Sequence, residues 1–328
     1  APGGKSNHLS SLIGQGGVLV SNEVIRSRAA VLAENISKWG AGNTIVTHND
    51  PSGFKGLKGF FDVILVDAPC SGEGMFRDAV AINEWSEENA GHCSERQKRI
   101  LADVWPALNE NGILIYSTCT FNPGENEENI NWLLTSHQAE SLELDISEFS
   151  GITKIDFQGI YGYGFYPGRI KGEGLFVSVI RKRCNSCKTM QVKRWGKRSG
   201  PEKSDIEIAE TLTSFHPENI IRYGDEIHRH AGKPDEFHLL RQILKIISPG
   251  TKICTLKKNG YVPAHELALS NGIRKDLFYK AELDHGQALA YLRRDIVASV
   301  DISKGWFIAS YKGINLGFCN NIGNRINN

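Results

Sequence analysis

The chain has 328 residues, 40% of them hydrophobic and 23% charged, with 38 basic against 37 acidic side chains and a formal net charge of +1. That length calls for about two domains and that balance for an ordinary globular core, which excludes a lone small module, a disordered chain and a fibrous repeat. Near-neutral charge provides no global field to draw in nucleic acid, so any such partner must be met by local patches. The longest apolar runs, such as 63–66 and 112–116, fall far short of the about 20 residues that a membrane helix needs. Seven cysteines without a regular framework, and no visible signal peptide, read as reduced thiols of a cytoplasmic protein.

In chain order, the opening APGGKS reads as a glycine-rich turn feeding a helix that carries Leu9, Leu12 and Ile13. A strand ordinarily precedes such a turn and no initiator Met is present, so the sequence reads as a fragment beginning inside a βα unit. A strand is expected over 18–22, a helix over 24–39 closed by Gly40 and Gly42, and a strand over 44–48. The apolar run 61–66 predicts a strand buried on both faces. A helix over 95–108, an apolar strand over 112–117, and a helix opened by Pro123, Gly124, Glu125, Glu127 and Glu128 follow. Closing strands are expected over 152–182 around an aromatic, glycine-rich loop from Gly159 to Arg169. This alternation is the signature of an α/β domain with a parallel sheet, here over 1–183.

Arg181 to Lys203 carries nine basic residues against one acid, Glu202, and reads as a basic linker, with 184–204 as its span. Within it, Cys184 and Cys187 lack a second pair at ligand spacing, so no metal is expected. Beyond it, a helix over 239–247, a strand over 251–257, a helix over 285–293 and a hairpin about Lys312 and Gly313 predict a small α+β module over 205–328. His228 and His230 are expected on the surface of a polar loop.

Ligands of open parallel sheets bind beyond the carboxyl ends of the strands. Four signals fall there: the turn at 1–6, Glu23, Asp50, and Asp67 with Cys70. A glycine turn followed about 20 residues on by an acid suits an adenosine cofactor whose ribose the carboxylate grips. In Asp67-Ala68-Pro69-Cys70-Ser71-Gly72-Glu73-Gly74 a carboxylate and a thiol leave a strand together, and a second thiol, Cys119, leaves the next apolar strand in the same way. Two such thiols can face one pocket, be small buried hydrophobes, or form a redox pair.

These segments resemble the RNA 5-methylcytosine methyltransferases of the Sun family: APGGKS at 1–6, SNEVIRSRAAVLAEN at 21–35, FFDVILVDAPCSGEGMFRD at 60–78 and ILIYSTCTFNPGENEENI at 113–130. GEGLFVSVIRK at 172–182 and the terminal LGFCNNIGNRINN are similar to the bacterial branch that acts on small-subunit ribosomal RNA and ends in a PUA-like module. The resemblance implies a class I, Rossmann-like methyltransferase domain with S-adenosylmethionine as cofactor. It implies that Ala1, Pro2, Gly3, Gly4 and Lys5 pack against the cofactor, Glu23 holds its ribose and Asp50 sits at its adenine. By the same resemblance Asp67 lies between cofactor and target base, Cys119 is the nucleophile and Cys70 helps to release the product. Its partner is then small-subunit rRNA or the assembling 30S subunit, with no membrane, and the protein a monomer.

Chemistry supports this division of labour. Carbon 5 of cytosine is a poor nucleophile until a thiolate adds to carbon 6, and the hydrogen on carbon 5 must leave before the enzyme is expelled. A group such as Asp67 beside N3 or N4 can stabilise charge that develops on the ring. Chemistry alone does not order the two thiols; the resemblance favours Cys119. The target base must be flipped or single-stranded, with Tyr161, Tyr163, Phe165, Tyr166, Arg169 and the basic stretch with Trp195 as contact surfaces. The rivals are a nicotinamide oxidoreductase, which would not call for two strand-end cysteines, and an inactive RNA-binding protein, against which Asp67, Cys70 and Cys119 argue.

Overall fold

The computed structural model describes residues 2–183, 201–274, 276–295, 302–323 and 325–327. In chain order they form α1 (Gly4–Ile13), β1 (Leu19–Asn22), α2 (Arg26–Trp39), β2 (Thr44–Thr47), β3 (Phe61–Asp67), α3 (Ala79–Glu84), α4 (Glu87–Val104), β4 (Leu108–Thr118) and α5 (Glu127–Ser136). Then come β5 (Ala139–Ser141), β6 (Ile152–Phe157), β7 (Ile160–Phe165), β8 (Leu175–Lys182), α6 (Lys203–Leu212), β9 (Ile220–Tyr223), β10 (Glu226–His230), α7 (Pro234–Ile243) and β11 (Ile246–Ser248). The chain closes with β12 (Gly250–Lys257), β13 (Gly260–Pro263), α8 (His265–Leu269), β14 (Tyr279–Glu282), α9 (His285–Arg293), β15 (Gly305–Tyr311), β16 (Ile314–Asn321) and β17 (Ile326–Asn327). Two compact units result, one from 1–49 with 192–328 and one from 50–191.

The 50–191 unit is built on a six-stranded sheet. Its strands run β3-β4-β8-β7-β6, with β5 paired to β8; β3 and β4 are parallel and the rest antiparallel. The parallel pair explains why β3 and β4 read as continuous apolar runs. Yet β3 is an edge strand here and Val63 is 55% exposed, so the expectation that it is buried on both faces fails. Helix α4 starts two turns earlier than its apolar pattern suggests, because Ser86 caps it by accepting the Asn89 N–H at 3.0 Å and Glu87 and Glu88 meet the positive end of the dipole. Its buried positions Ala90, Cys93, Gln97, Leu101 and Val104 make one stripe at helical spacing. Leu101 and Val104 of that stripe share a core with Leu114 and Tyr116 of β4, Ile130 and Leu133 of α5, and Phe176 and Ile180 of β8. Each such side chain contributes about 1.5–3 kcal/mol through burial.

In the other unit β1 and β2 are parallel, joined through α2, and β11 adds antiparallel to β2. Helix α2 ends where the sequence places its stop, with Gly40 left-handed at φ 72° and its N–H on the carbonyls of Ile36 and Ser37. The carboxy-terminal residues form two four-stranded sheets, β13-β12-β10-β9 and β14-β15-β16-β17, around a core of Leu212, Ile227, Ile253, Leu267, Ile308 and Phe318. The β15–β16 hairpin turns at Lys312 and Gly313, both at positive φ as a two-residue hairpin turn demands. His228 and His230 are not surface residues: both sit in β10 and are 9% and 3% exposed, and His230 stacks on Phe237 at 4.2 Å between ring centroids.

Candidate active site

Asp67 ends β3 and Cys119 follows β4, so pairing of these parallel strands sets the two reactive loops side by side. Asp67 is exposed and accepts the Ser117 hydroxyl at 3.2 Å. Cys70 and Cys119, both unoxidised and half-buried, place their sulfurs 2.9 Å apart, and the Cys119 N–H donates to the Cys70 sulfur at 3.1 Å. The structure thus brings Asp67, Cys70 and Cys119 together.

The Cys70 thiol is pushed well above its ordinary range, first by its hydrogen bond to Cys119, then by burial and by negative charge on Cys119; the amides of Cys119 and Gly72 oppose this.

A buried polar frame holds the loops. Glu125 is 0% exposed, and its carboxylate accepts the Ser71 N–H at 3.0 Å, the Ser71 hydroxyl at 2.5 Å and the Gln97 amide at 2.8 Å. Gln97 also donates to the Pro69 carbonyl at 2.9 Å. The Asn126 side chain does not cap α5; it accepts the Thr118 hydroxyl at 2.6 Å and donates to the Thr120 carbonyl at 3.0 Å, bracketing Cys119. Glu73 accepts the Phe121 N–H at 3.1 Å and the Trp85 indole at 3.2 Å. Gly74 donates to the Cys119 carbonyl at 2.9 Å and accepts from Gly174 at 2.9 Å. A side chain at Gly74 would lie 2.7 Å from the Gly174 Cα and 2.8 Å from the Cys119 oxygen, so only glycine allows this approach. In the sequence Glu125 stands with Glu127 and Glu128 as one of three acids at a helix start, which hides its role. The helix begins at Glu127, and the signal available was the Pro123-Gly124 pair, which holds the chain in a turn before the helix opens.

The remaining predicted residues divide between the units. Ala1 lies outside the described residues. Gly3, at φ 123°, precedes α1, whose first turn has no side-chain cap, and a Cβ on Gly4 would meet nothing within 4 Å. An uncapped helix start beside open space fits a polar ligand group approaching backbone N–H donors. Glu23 follows β1, where its carboxylate accepts the Ile25 N–H at 3.2 Å and pairs with Arg28 at 3.3 Å, so it is held as an oxygen acceptor of the kind a ribose needs. The residues at 2–5 and Glu23 thus suit S-adenosylmethionine. Asp50 lies in the other unit, where the Ser52 hydroxyl and amide hold its carboxyl below the usual range, and Arg99 stands at 3.6 Å.

The proposed RNA-contact surfaces are only partly available. Tyr163 is 2% exposed in β7, and its hydroxyl is engaged by the Leu144 backbone. Tyr166 packs against Phe121 at 5.0 Å, and Arg169 is exposed. In the basic stretch Lys182 is 6% exposed, donating to the carbonyls of Trp105 and Leu108, while Arg181 and Arg183 pair with Glu140. Trp195 and the Cys184 and Cys187 pair lie outside the described residues.

An α/β sheet with reactive groups at its strand ends narrows the class, and comparison with known proteins completes it. Residues 1–181 match the 16S rRNA methyltransferase RsmB/F model, and residues 278–328 match the PUA domain of the methyltransferase RsmF. The chain is an RNA methyltransferase with S-adenosylmethionine as its cofactor. It belongs to the 16S rRNA methyltransferase RsmB/F family. Its whole length is 31% identical to ribosomal RNA small subunit methyltransferase F of Psychromonas ingrahamii and 34% identical to that of Aliivibrio fischeri, covering 71% of each. Its fold is similar to the crystal structure of PH0851, at 25% identity and a TM-score of 0.51, over 56% of this chain and 41% of that one.

Proposed function

We propose that the chain methylates carbon 5 of cytosine in small-subunit ribosomal RNA, through a covalent bond from Cys119 to carbon 6 that Cys70 helps to break. Residues 1–183 are the methyltransferase domain in this reading and 205–328 the RNA-binding region. The observation that carries it is the 2.9 Å approach of two thiols on adjacent strand-end loops. The Cys119 thiolate adds to carbon 6, and Asp67 hydrogen-bonds the ring edge where charge gathers. When bound at 2–5 and Glu23, S-adenosylmethionine supplies the electrophilic methyl group that the now electron-rich carbon 5 accepts.

Bond formation changes Cys70. In the adduct the Cys119 sulfur is bonded to carbon 6 and no longer raises the Cys70 thiol through its charge and hydrogen bond, so Cys70 gives its proton to water more readily. As a thiolate it takes the hydrogen from carbon 5, the double bond re-forms, and Cys119 leaves. The test is a small-subunit rRNA transcript incubated with methyl-labelled cofactor and digested to nucleosides. The label is expected in 5-methylcytidine and absent with Cys119→Ala; label in another nucleoside, or undiminished label in that variant, contradicts the proposal.

A further inference from the structure

Glu125 is the most deeply buried carboxylate in the unit that carries the thiols, and neither step of the mechanism uses it. Its two oxygens take three hydrogen bonds, all from neutral donors, and among the described residues no ion pair neutralises it. The donors are fixed. Ser71 offers a backbone N–H, and the Gln97 amide is oriented by its own oxygen, which accepts from Asn129 at 2.7 Å. A second set of bonds reaches the Glu125 backbone, whose carbonyl accepts the Tyr116 hydroxyl at 2.6 Å and the Asn129 amide at 3.1 Å. Tyr116 belongs to the strand that delivers Cys119, and Ser71 is the residue after Cys70. The one residue therefore ties the loop of each thiol to the other.

A buried carboxylate is costly unless its donors are strong and well placed, and two loops that had only to pack would be served by apolar contacts. An acceptor-only group is needed where three donors converge; an amide there would present two donors of its own to Ser71 and Gln97. We propose that Glu125 is a positioning residue for product release: through Ser71 it holds the Cys70 sulfur against the Cys119 sulfur, where Cys70 can reach the hydrogen on carbon 5. The inference rests on the covalent reading above and adds a residue to it. Attack by Cys119 needs only its own loop, which Asn126 brackets independently through Thr118 and Thr120. Release needs both loops in register.

The experiment uses the full chain with intact thiols and a small-subunit rRNA transcript. In Glu125→Gln, single-turnover methyl transfer is expected to stay within about threefold of the parent while release slows by about tenfold or more, so that an RNA adduct accumulates on a denaturing gel. Ser71→Ala, which loses one of the three donors but keeps its N–H, is expected to accumulate less adduct and serves if Glu125→Gln does not fold. Without RNA, capture of the thiol pair by phenylarsine oxide is expected to weaken in both variants. Unchanged release with unchanged arsenical capture overturns the proposal, and so does a parallel fall in attack and release. Cys70→Ala separates the two levels: if it traps RNA and the Glu125 and Ser71 variants do not, the positioning role fails alone, and if it too traps none, the covalent reading has failed first.

Discussion

The glycine turn at residues 2–5 opens a helix, the thiol loops at 67–75 and 117–125 follow the ends of β3 and β4, and the two regions are held in opposite ways. The turn is exposed at Pro2, Gly4 and Lys5 and anchored from behind, by Asn35 on the Pro2 carbonyl at 2.7 Å and by Asn43 on the carbonyls of Ser10 and Gly14. The thiol loops are braced from within by Glu125, Gln97, Asn126 and Asn129, all at most 1% exposed. A ligand that must enter and leave is served by an open backbone cradle with a firm base. Atoms that make and break a covalent bond need distances fixed to a fraction of an ångström, which a buried network supplies at the cost of burying a carboxylate.

The contrast can be broken most severely at the nucleophile. Cys119→Ala is expected to lower turnover by on the order of 10⁴ or more while leaving cofactor affinity and the melting temperature near those of the parent, as kinetics, calorimetry and a thermal scan would read. Next is the close approach of the loops. Gly74→Ala sets a Cβ against the Gly174 Cα and the Cys119 carbonyl, and is expected to destabilise the chain by about 1–3 kcal/mol in urea titration, with activity lost at temperatures where the protein is still folded. Glu23→Gln acts on the cofactor side. It is expected to weaken S-adenosylmethionine binding about tenfold, or ~1.4 kcal/mol, in calorimetry, with the reaction of Cys70 and Cys119 toward a thiol reagent unchanged.

The smallest effect lies away from both regions. Burial depresses His228, His230 and His265 below the ordinary histidine value of 6.5, so the unfolded chain binds protons that the folded chain refuses. Stability from these groups is complete above pH 6.5 and falls as pH drops from there toward their folded values. The melting temperature is expected to decline from pH 7 to pH 5, and less steeply in His228→Gln, whose parent side chain buries an Nδ1 without a hydrogen-bond partner.

Much of this arrangement was legible in the sequence where local physics decides it. Helix α9 falls at 285–293 as its spacing predicts, β4 reads as a buried parallel strand, and the positive-φ pair Lys312–Gly313 announces its hairpin. The thiols could be placed at neighbouring strand ends because two apolar runs lead directly into them. What the sequence hid depends on partners remote in the chain. Val63 is apolar whether its strand is central or at an edge. Glu125 looks like any acid near a helix start until Ser71 and Gln97, 54 and 28 residues away, are seen to converge on it. His228 and His230 sit in a polar segment whose pattern conceals a strand packed on both sides.

In the proposed reaction Cys119 makes the bond to RNA and Cys70 allows it to break. The most direct measurement is a denaturing gel of labelled small-subunit rRNA incubated with cofactor and the parent chain, Cys70→Ala, Cys119→Ala or the double variant. The account predicts a retarded RNA–protein band with Cys70→Ala and none with Cys119→Ala or the double variant, because release cannot matter where attack never occurs. A band with Cys119→Ala and none with Cys70→Ala would reverse the two roles, and full activity in both single variants without any band would contradict covalent catalysis by these thiols.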